Sequence, residues 1–388
     1  MKIAELRYFG LLLSIVVVFG FGSDALKSGT SSGTNSIILF IGDGMGDAHR
    51  LAAKWAAVGK TGILSMDDMP TKGWAKTGSA NNPVTDSAAA ATAMASGVKT
   101  NNGVIGMDAD LNLVTTILER AKRRGKMVGL VTTTQISHAT PAAFAAHIAD
   151  RNLMTDIAEQ VMDAEVDVLL GGGEDEFLPT TEIGCFPEAG ERRDGRNLIN
   201  EALSAGYTFV CDPTAFSAVD TLSTVRLLGL FADEGMTRPF SPTLAEMTKK
   251  TIAILSKSNE GFFLMVEGGQ IDWAGHSKDA ENVISDTVDL DNSVRVALDY
   301  AAVNNDTLVI VTADHETGGM SVSLSSSGAP DEDGPFAMPD GTKFYVNWST
   351  TGHTSSDVPV TSMGPSSDML TGIHENTYLF DVMLSVFD

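Results

Sequence analysis

Hydrophobic positions along the chain fall into short unbroken runs, set apart by glycine-rich polar turns and by stretches of helical period. The first run is Ser36-Ile37-Ile38-Leu39-Phe40-Ile41, closed by Gly42-Asp43-Gly44. An apolar run without alternation is the pattern of a strand buried on both faces. Residues 127–131, 166–170, 262–266 and 307–312 repeat it, and 74–76 and 345–348 read as shorter strands. Helices are predicted at about 49–58, at 114–124 with Gly125 as the stop, from Pro141 through His147 towards Arg151 with Thr140 as cap, from about 153, and at about 282–303. Strands alternating with helices predict an α/β fold, with a large, mostly parallel sheet covered on both faces. The pattern weakens at about 174–260, where charged and glycine-rich turns separate short elements. This stretch reads as a connecting region or an insertion beside the main sheet. Residues 324–341 read as a loop.

In open parallel sheets, ligands bind beyond the carboxyl ends of the strands. Three runs end there in a carboxylate: Asp43, Glu267 and Asp314. Four of the seven histidines, His138, His276, His315 and His353, lie in segments that follow strands. Asp272 and His276 are four apart and would share one face of a helical turn, although Gly275 weakens that helix. Mixed carboxylate and imidazole donors suit zinc; carboxylates with a hydroxyl suit magnesium. The segment Val84-Thr85-Asp86-Ser87-Ala88-Ala89-Ala90-Ala91-Thr92 adds a serine at the start of an alanine-rich helix that Gly97 ends. Asp86 reads as its cap or as a partner for Arg151. Free N–H groups at such an end favour an anion.

Composition narrows the setting. A chain of 388 residues, 43% hydrophobic, is long enough for one large core. A net charge of −24 argues against a nucleic-acid-binding module and against an anionic membrane surface. It leaves room for an anionic substrate, because bound metal ions invert the local field. Lys2 and Arg7, then an apolar stretch at 11–21, predict a secretory signal over 1–25, with an uncleaved anchor as the alternative. Residues 26–35 read as a linker, and 36–388 as a single catalytic domain. Periplasmic or extracellular location follows from the signal. Cys185 and Cys211 either pair or remain free thiols.

The motifs, taken together, resemble the alkaline phosphatases, in their compact bacterial branch. The likeness rests on Val84 to Thr92, on Ile41-Gly42-Asp43-Gly44-Met45-Gly46, and on His138-Ala139-Thr140-Pro141-Ala142 with Arg151. It continues through Val266-Glu267-Gly268 with Asp272 and His276, Thr312-Ala313-Asp314-His315-Glu316, and Gly352-His353-Thr354. These run in family order from about residue 36 onward. The resemblance implies a three-layer α/β/α sandwich and broad phosphomonoester hydrolysis through a phosphoserine at Ser87. It implies one zinc on Asp272, His276 and His353, and a second on Asp43, Asp314 and His315. A magnesium would lie on Asp43, Thr140 and Glu267. Arg151 would clamp the phosphate, and the protein would be a homodimer. His138 stands where enteric members carry an aspartate near the third ion, so zinc or cobalt could compete with magnesium there. Trp273 stands where others carry a basic residue near the phosphate. The alternatives are a phosphodiesterase of the same superfamily and a secreted metal- or phosphate-binding protein without turnover.

Overall fold

An unbroken apolar run is stable as a strand only when both its faces are covered, and the run after Asn35 is covered in this way at the centre of the sheet. The computed structural model describes residues 35–387. The signal assigned to 1–25, and the linker save Asn35, lie outside them. In chain order the strands are β1 (Ser36–Gly42), β2 (Thr71–Lys76), β3 (Met127–Gln135), β4 (Val168–Gly172), β5 (Thr208–Val210), β6 (Leu227–Leu230), β7 (Phe262–Gly268), β8 (Thr307–Ala313), β9 (Glu316–Thr317), β10 (Ser321–Ser323), β11 (Glu332–Ala337), β12 (Lys343–Asn347), β13 (His353–Thr354), β14 (Val358–Met363) and β15 (Gly372–Glu375). The helices are α1 (Asp47–Val58), α2 (Ser87–Ser96), α3 (Ile117–Arg123), α4 (Ala139–Ala145), α5 (Met154–Asp163), α6 (Leu198–Ser204), α7 (Pro213–Ala218), α8 (Leu244–Leu255), α9 (Gln270–His276), α10 (Ala280–Ala301) and α11 (Tyr378–Phe387).

Ten strands form the main sheet in the order β15-β2-β14-β8-β1-β7-β3-β4-β6-β5. All are parallel except β14, which runs against both of its neighbours. Ile37 to Ile41 on β1 and the facing residues of β7 and β8 are fully buried. Helices α1, α8 and α9 pack on α10; α2 packs on α4, and α11 on α2. This is the predicted three-layer architecture. Register then sets the site. Gly42 pairs with Gly268 on one side and Ala313 on the other, so Asp43 and Asp314 emerge level with each other. Glu267 pairs with Ile41 and with Thr132 of β3, one residue deeper.

Several expectations need correction. The helix predicted from residue 114 begins at Ile117, because Thr116 caps it with Glu119 in a reciprocal box. The helix predicted through His147 is α4, which ends at Ala145. Beyond it the backbone turns extended so that Ile148 exchanges two hydrogen bonds with Ile105, each 2.9 Å. Its cap residue is His138; Thr140 sits within the first turn. Helix α9 forms despite Gly275, whose missing side chain lets Thr317 pack close. The stretch read as a loop at 324–341 contains β11, which pairs with β12 and sets Phe336 against Phe344. The weakly patterned region adds β6 and β5 to the edge of the main sheet and α8 to its face. Cys185 and Cys211 are joined in a disulfide within it.

Candidate catalytic metal centre

Helix α2 presents Ser87 as its first residue. The Asp86 carboxylate accepts the Ala89 N–H at 3.0 Å, and Gly97 closes the helix with φ 75°. Every residue from Ser87 to Ser96 is buried, which the alanine run permits by its small volume. Asp86 fills both of the roles left open for it. Its second oxygen accepts from the Gly103 N–H and from Arg151 Nη1, each at 3.0 Å. The other Arg151 terminal nitrogen, Nη2, lies 3.3 Å from His138 Nε2.

Ser87 Oγ lies 3.3 Å from His315 Nε2. That nitrogen is also 3.1 Å from Asp314 Oδ2 and 3.4 Å from Asp43 Oδ1. The other Asp314 oxygen accepts the N–H groups of Gly44 and His315, both at 3.0 Å. Asp43 is fully buried, and neither carboxylate oxygen has a hydrogen-bond partner among the described residues. Burial, reinforced by Asp314, Asp272 and Glu267, pushes its carboxyl well above the usual range. A buried carboxylate with so few partners fits a cation as its counter-charge.

Beside it, Asp272 faces His276 Nε2 at 3.3 Å and His353 Nε2 at 3.4 Å. His276 Nδ1 lies 2.5 Å from the Thr351 carbonyl, and His353 Nδ1 lies 2.8 Å from that of Thr85. Each ring donates its Nδ1–H to a carbonyl and turns Nε2 towards Asp272; in the neutral form that a cation would bind, Nε2 is an acceptor. The two Nε2 atoms are 3.1 Å apart. Two acceptors held that close fit a shared cation. The hydrogen bond to Asp272 raises the His276 imidazole to about 9, against burial.

Glu267 is fully buried and accepts hydrogen bonds from Thr132 and Thr134, the latter at 3.3 Å. Burial pushes its carboxyl to about 7, against the pull of Thr132. Its other oxygen, Oε1, has no hydrogen-bond partner within the distance limits among the described residues, although Thr140 lies close enough to lower the carboxyl. Asp43, His138 and Glu267 bring three donor atoms within 4.8 Å of one another. Burial and the adjacent Arg151 lower the His138 imidazole to about 4, so it is neutral and able to donate a lone pair. Trp273 packs edge-on to His138 with ring centroids 6.0 Å apart.

All the sequence-derived site residues thus converge on one edge of the sheet. The sequence reading missed Thr132 and Thr134, which hold Glu267, and Thr317, whose hydroxyl donates to Asp272. Alternation at 132 and 134 on a strand end was the available signal. The carbonyls of Thr85 and Thr351 carry none.

A family model described as alkaline phosphatase matches residues 34–334 and 338–388. Alkaline phosphatase 3 of Bacillus subtilis (strain 168) is 34% identical, over 90% of this chain and 88% of that protein. Alkaline phosphatase of Escherichia coli (strain K12) is 35% identical, over 90% and 85%. The structure of alkaline phosphatase from the Antarctic bacterium TAB5 superimposes with a TM-score of 0.78 at 34% identity, covering 91% of this chain and 98% of that one. A histidine-to-aspartate variant of that enzyme, with magnesium bound, gives 0.77 at 32%, covering 91% and 97%.

Proposed function

The chain belongs to the alkaline phosphatase family, and from that premise we propose that it hydrolyses phosphate monoesters through a phosphoserine at Ser87, in a site for two zinc ions and one magnesium. Asp272, His276 and His353 would hold one zinc, and Asp43, Asp314 and His315 the other. Asp43, Thr140 and Glu267 would hold the magnesium. The Antarctic variant with bound magnesium supports a third ion of that type. The observation that carries the reading is the point where Ser87 Oγ, the Asp314 and Asp43 carboxylates and His315 Nε2 meet within 3.4 Å of that nitrogen.

The two zinc ions would supply Lewis acidity to the attacking and leaving oxygens of an in-line displacement. The chain's own groups do the rest. Ser87 Oγ attacks phosphorus, the ester oxygen leaves with its bonding electrons, and the phosphoryl group rests on Ser87. Water then attacks the phosphorus and returns the serine hydroxyl with inorganic phosphate. The free N–H groups at the start of α2 favour the serine oxyanion. Arg151, aimed by Asp86 and His138, holds two phosphate oxygens with its planar fork. None of these residues reads the alcohol, which supports broad specificity. Trp273 supplies no positive charge to the bound phosphate, so product leaves readily; unchanged phosphate inhibition in Trp273→Lys would refute that point. Export through residues 1–25 and a homodimer complete the reading. Among the described residues, no helix is long and apolar enough to cross a membrane.

The decisive comparison sets wild type against Ser87→Ala on an aryl phosphate, an aryl diester and an aryl sulfate, before and after chelation. Monoester turnover lost on chelation and in the variant is expected. Preferential diester cleavage, or activity that survives both treatments, would overturn the reading.

A further inference from the structure

The turn that follows helix α2 reaches back to the residues that lead into it. Asn102 Oδ1 accepts the Asp86 N–H at 3.3 Å, and Asn102 Nδ2 donates to the Val84 carbonyl at 3.1 Å. One side-chain amide, acceptor and donor together, grips the chain on both sides of Thr85. Asn102 is itself held, since its backbone N–H donates to Asn81 Oδ1 at 3.1 Å. Gly103 follows at φ 87°, a conformation natural to glycine. It donates its N–H to Asp86 Oδ2 and accepts the Arg151 N–H with its carbonyl, each at 3.0 Å. Thr85 is buried, and its carbonyl is the one that lies 2.8 Å from His353 Nδ1. Two residues of one turn thus touch the approach to Ser87, the backbone of Arg151 and, through Thr85, the His353 ring.

We propose that Asn102 is a positioning residue: it fixes the Thr85 carbonyl against His353 and so couples the seating of the nucleophile helix to zinc binding by Asp272, His276 and His353. The inference rests on the two-zinc, phosphoserine reading. A histidine binds a metal through one nitrogen, and the hydrogen bond at the other sets which nitrogen that is and how the ring lies. Here Thr85 takes the Nδ1–H, which leaves Nε2 towards Asp272 at 3.4 Å. The Thr85 hydroxyl is engaged locally, on the Asp86 carbonyl at 3.0 Å, so the direction of the Thr85 carbonyl depends on what holds its neighbours. The other zinc set, Asp43, Asp314 and His315, draws hydrogen bonds from Gly44, Ser87 and Thr317 instead. Loosening Thr85 therefore weakens one ion and leaves the other's ligands in place. An amide suits position 102 better than a carboxylate, because only the amide can donate to Val84.

The test uses the enzyme loaded with zinc and magnesium and challenged with a graded chelator, with protein-bound zinc counted at each step. In Asn102→Ala one of the two zinc ions should be bound about tenfold or more weakly, with the other held as in wild type. Activity on an aryl phosphate should fall with that ion and return when zinc is raised. Asn102→Asp keeps an acceptor for Asp86 and has no donor for Val84, so it should lose the same ion. Wild-type affinity for both zinc ions in either variant would overturn the inference. So would a weakening of both ions alike, together with a lower melting temperature of the metal-free protein, which would make Asn102 a structural residue only. Wild-type turnover that needs no zinc would instead defeat the two-zinc reading itself.

Discussion

Two acidic clusters stand on one edge of one sheet, and they are built from different parts. At β1, β7 and β8 the carboxylates Asp43, Glu267 and Asp314 sit at strand ends, interleaved with His315, His276 and His353. At β3, β4 and β6 the carboxylates Asp175, Glu176 and Glu234 sit on loops, with the Gln135 amide and no histidine. Both lie beyond the carboxyl ends of parallel strands, where such sheets bind ligands. Residue type then decides what the place can hold. At the first, Asp272 raises the imidazole of His276 beside it; at the second, burial and the neighbouring carboxylates push Glu176 well above its ordinary value.

The comparison breaks first at Asp43, the one carboxylate assigned to two ions. Asp43→Asn should lower kcat/KM on an aryl phosphate by about a thousandfold or more. Glu176→Gln should stay within about twofold of wild type, since charge at the second cluster acts at no reacting atom. Comparable losses in steady-state assays of both variants would show the edge to be one unit. Arg151→Ala should cost about a hundredfold, and Arg151→Lys should recover only part of it, because an ammonium lacks the planar fork. Full recovery would reduce the arginine to a point charge.

Stability sharpens the contrast. The disulfide joins positions 26 apart in the region of the second cluster. Replacing both cysteines by serine should lower unfolding free energy in urea by about 3 kcal/mol, with kcat unchanged at low temperature. The smallest effect is one of pH, in chelated protein. Asp175 has its folded value raised to about 6 from 3.8, so its contribution is complete below about 4 and is lost as pH rises through 6. His276 is raised to about 9 from 6.5, so its contribution is complete below about 6.5 and is lost as pH rises through 9. Melting scans of Asp175→Asn should flatten the acid window, and those of His276→Ala the alkaline one. A variant that flattens the opposite window would unseat the assignment.

The first cluster was legible in the sequence because its parts are punctuation. Asp43, Glu267 and Asp314 each end an apolar run, and Ser87 opens an alanine run between a cap and a glycine. Register turns those endings into neighbours. The second cluster stayed hidden because its partners belong to three distant segments joined only by β4–β6 pairing and by backbone hydrogen bonds. Leu227-Leu228-Gly229-Leu230 is too short a run to announce a strand. Helix ends were misjudged where side-chain capping at Thr116 or a backbone bridge at Ile105 overrode propensity.

Helix α2 carries a consequence for the order of synthesis. Its alanine face is covered by α11, and Phe380 rests against Gly97 at its end. Ser87 is translated early, α11 and His353 long afterwards. Domains emerging from the ribosome fold as their parts become available, so an unfinished chain can pack α4 on α2 but lacks α11 and His353. Ser87, the proposed nucleophile, and His353, a proposed zinc ligand, would therefore come together only when synthesis is nearly complete.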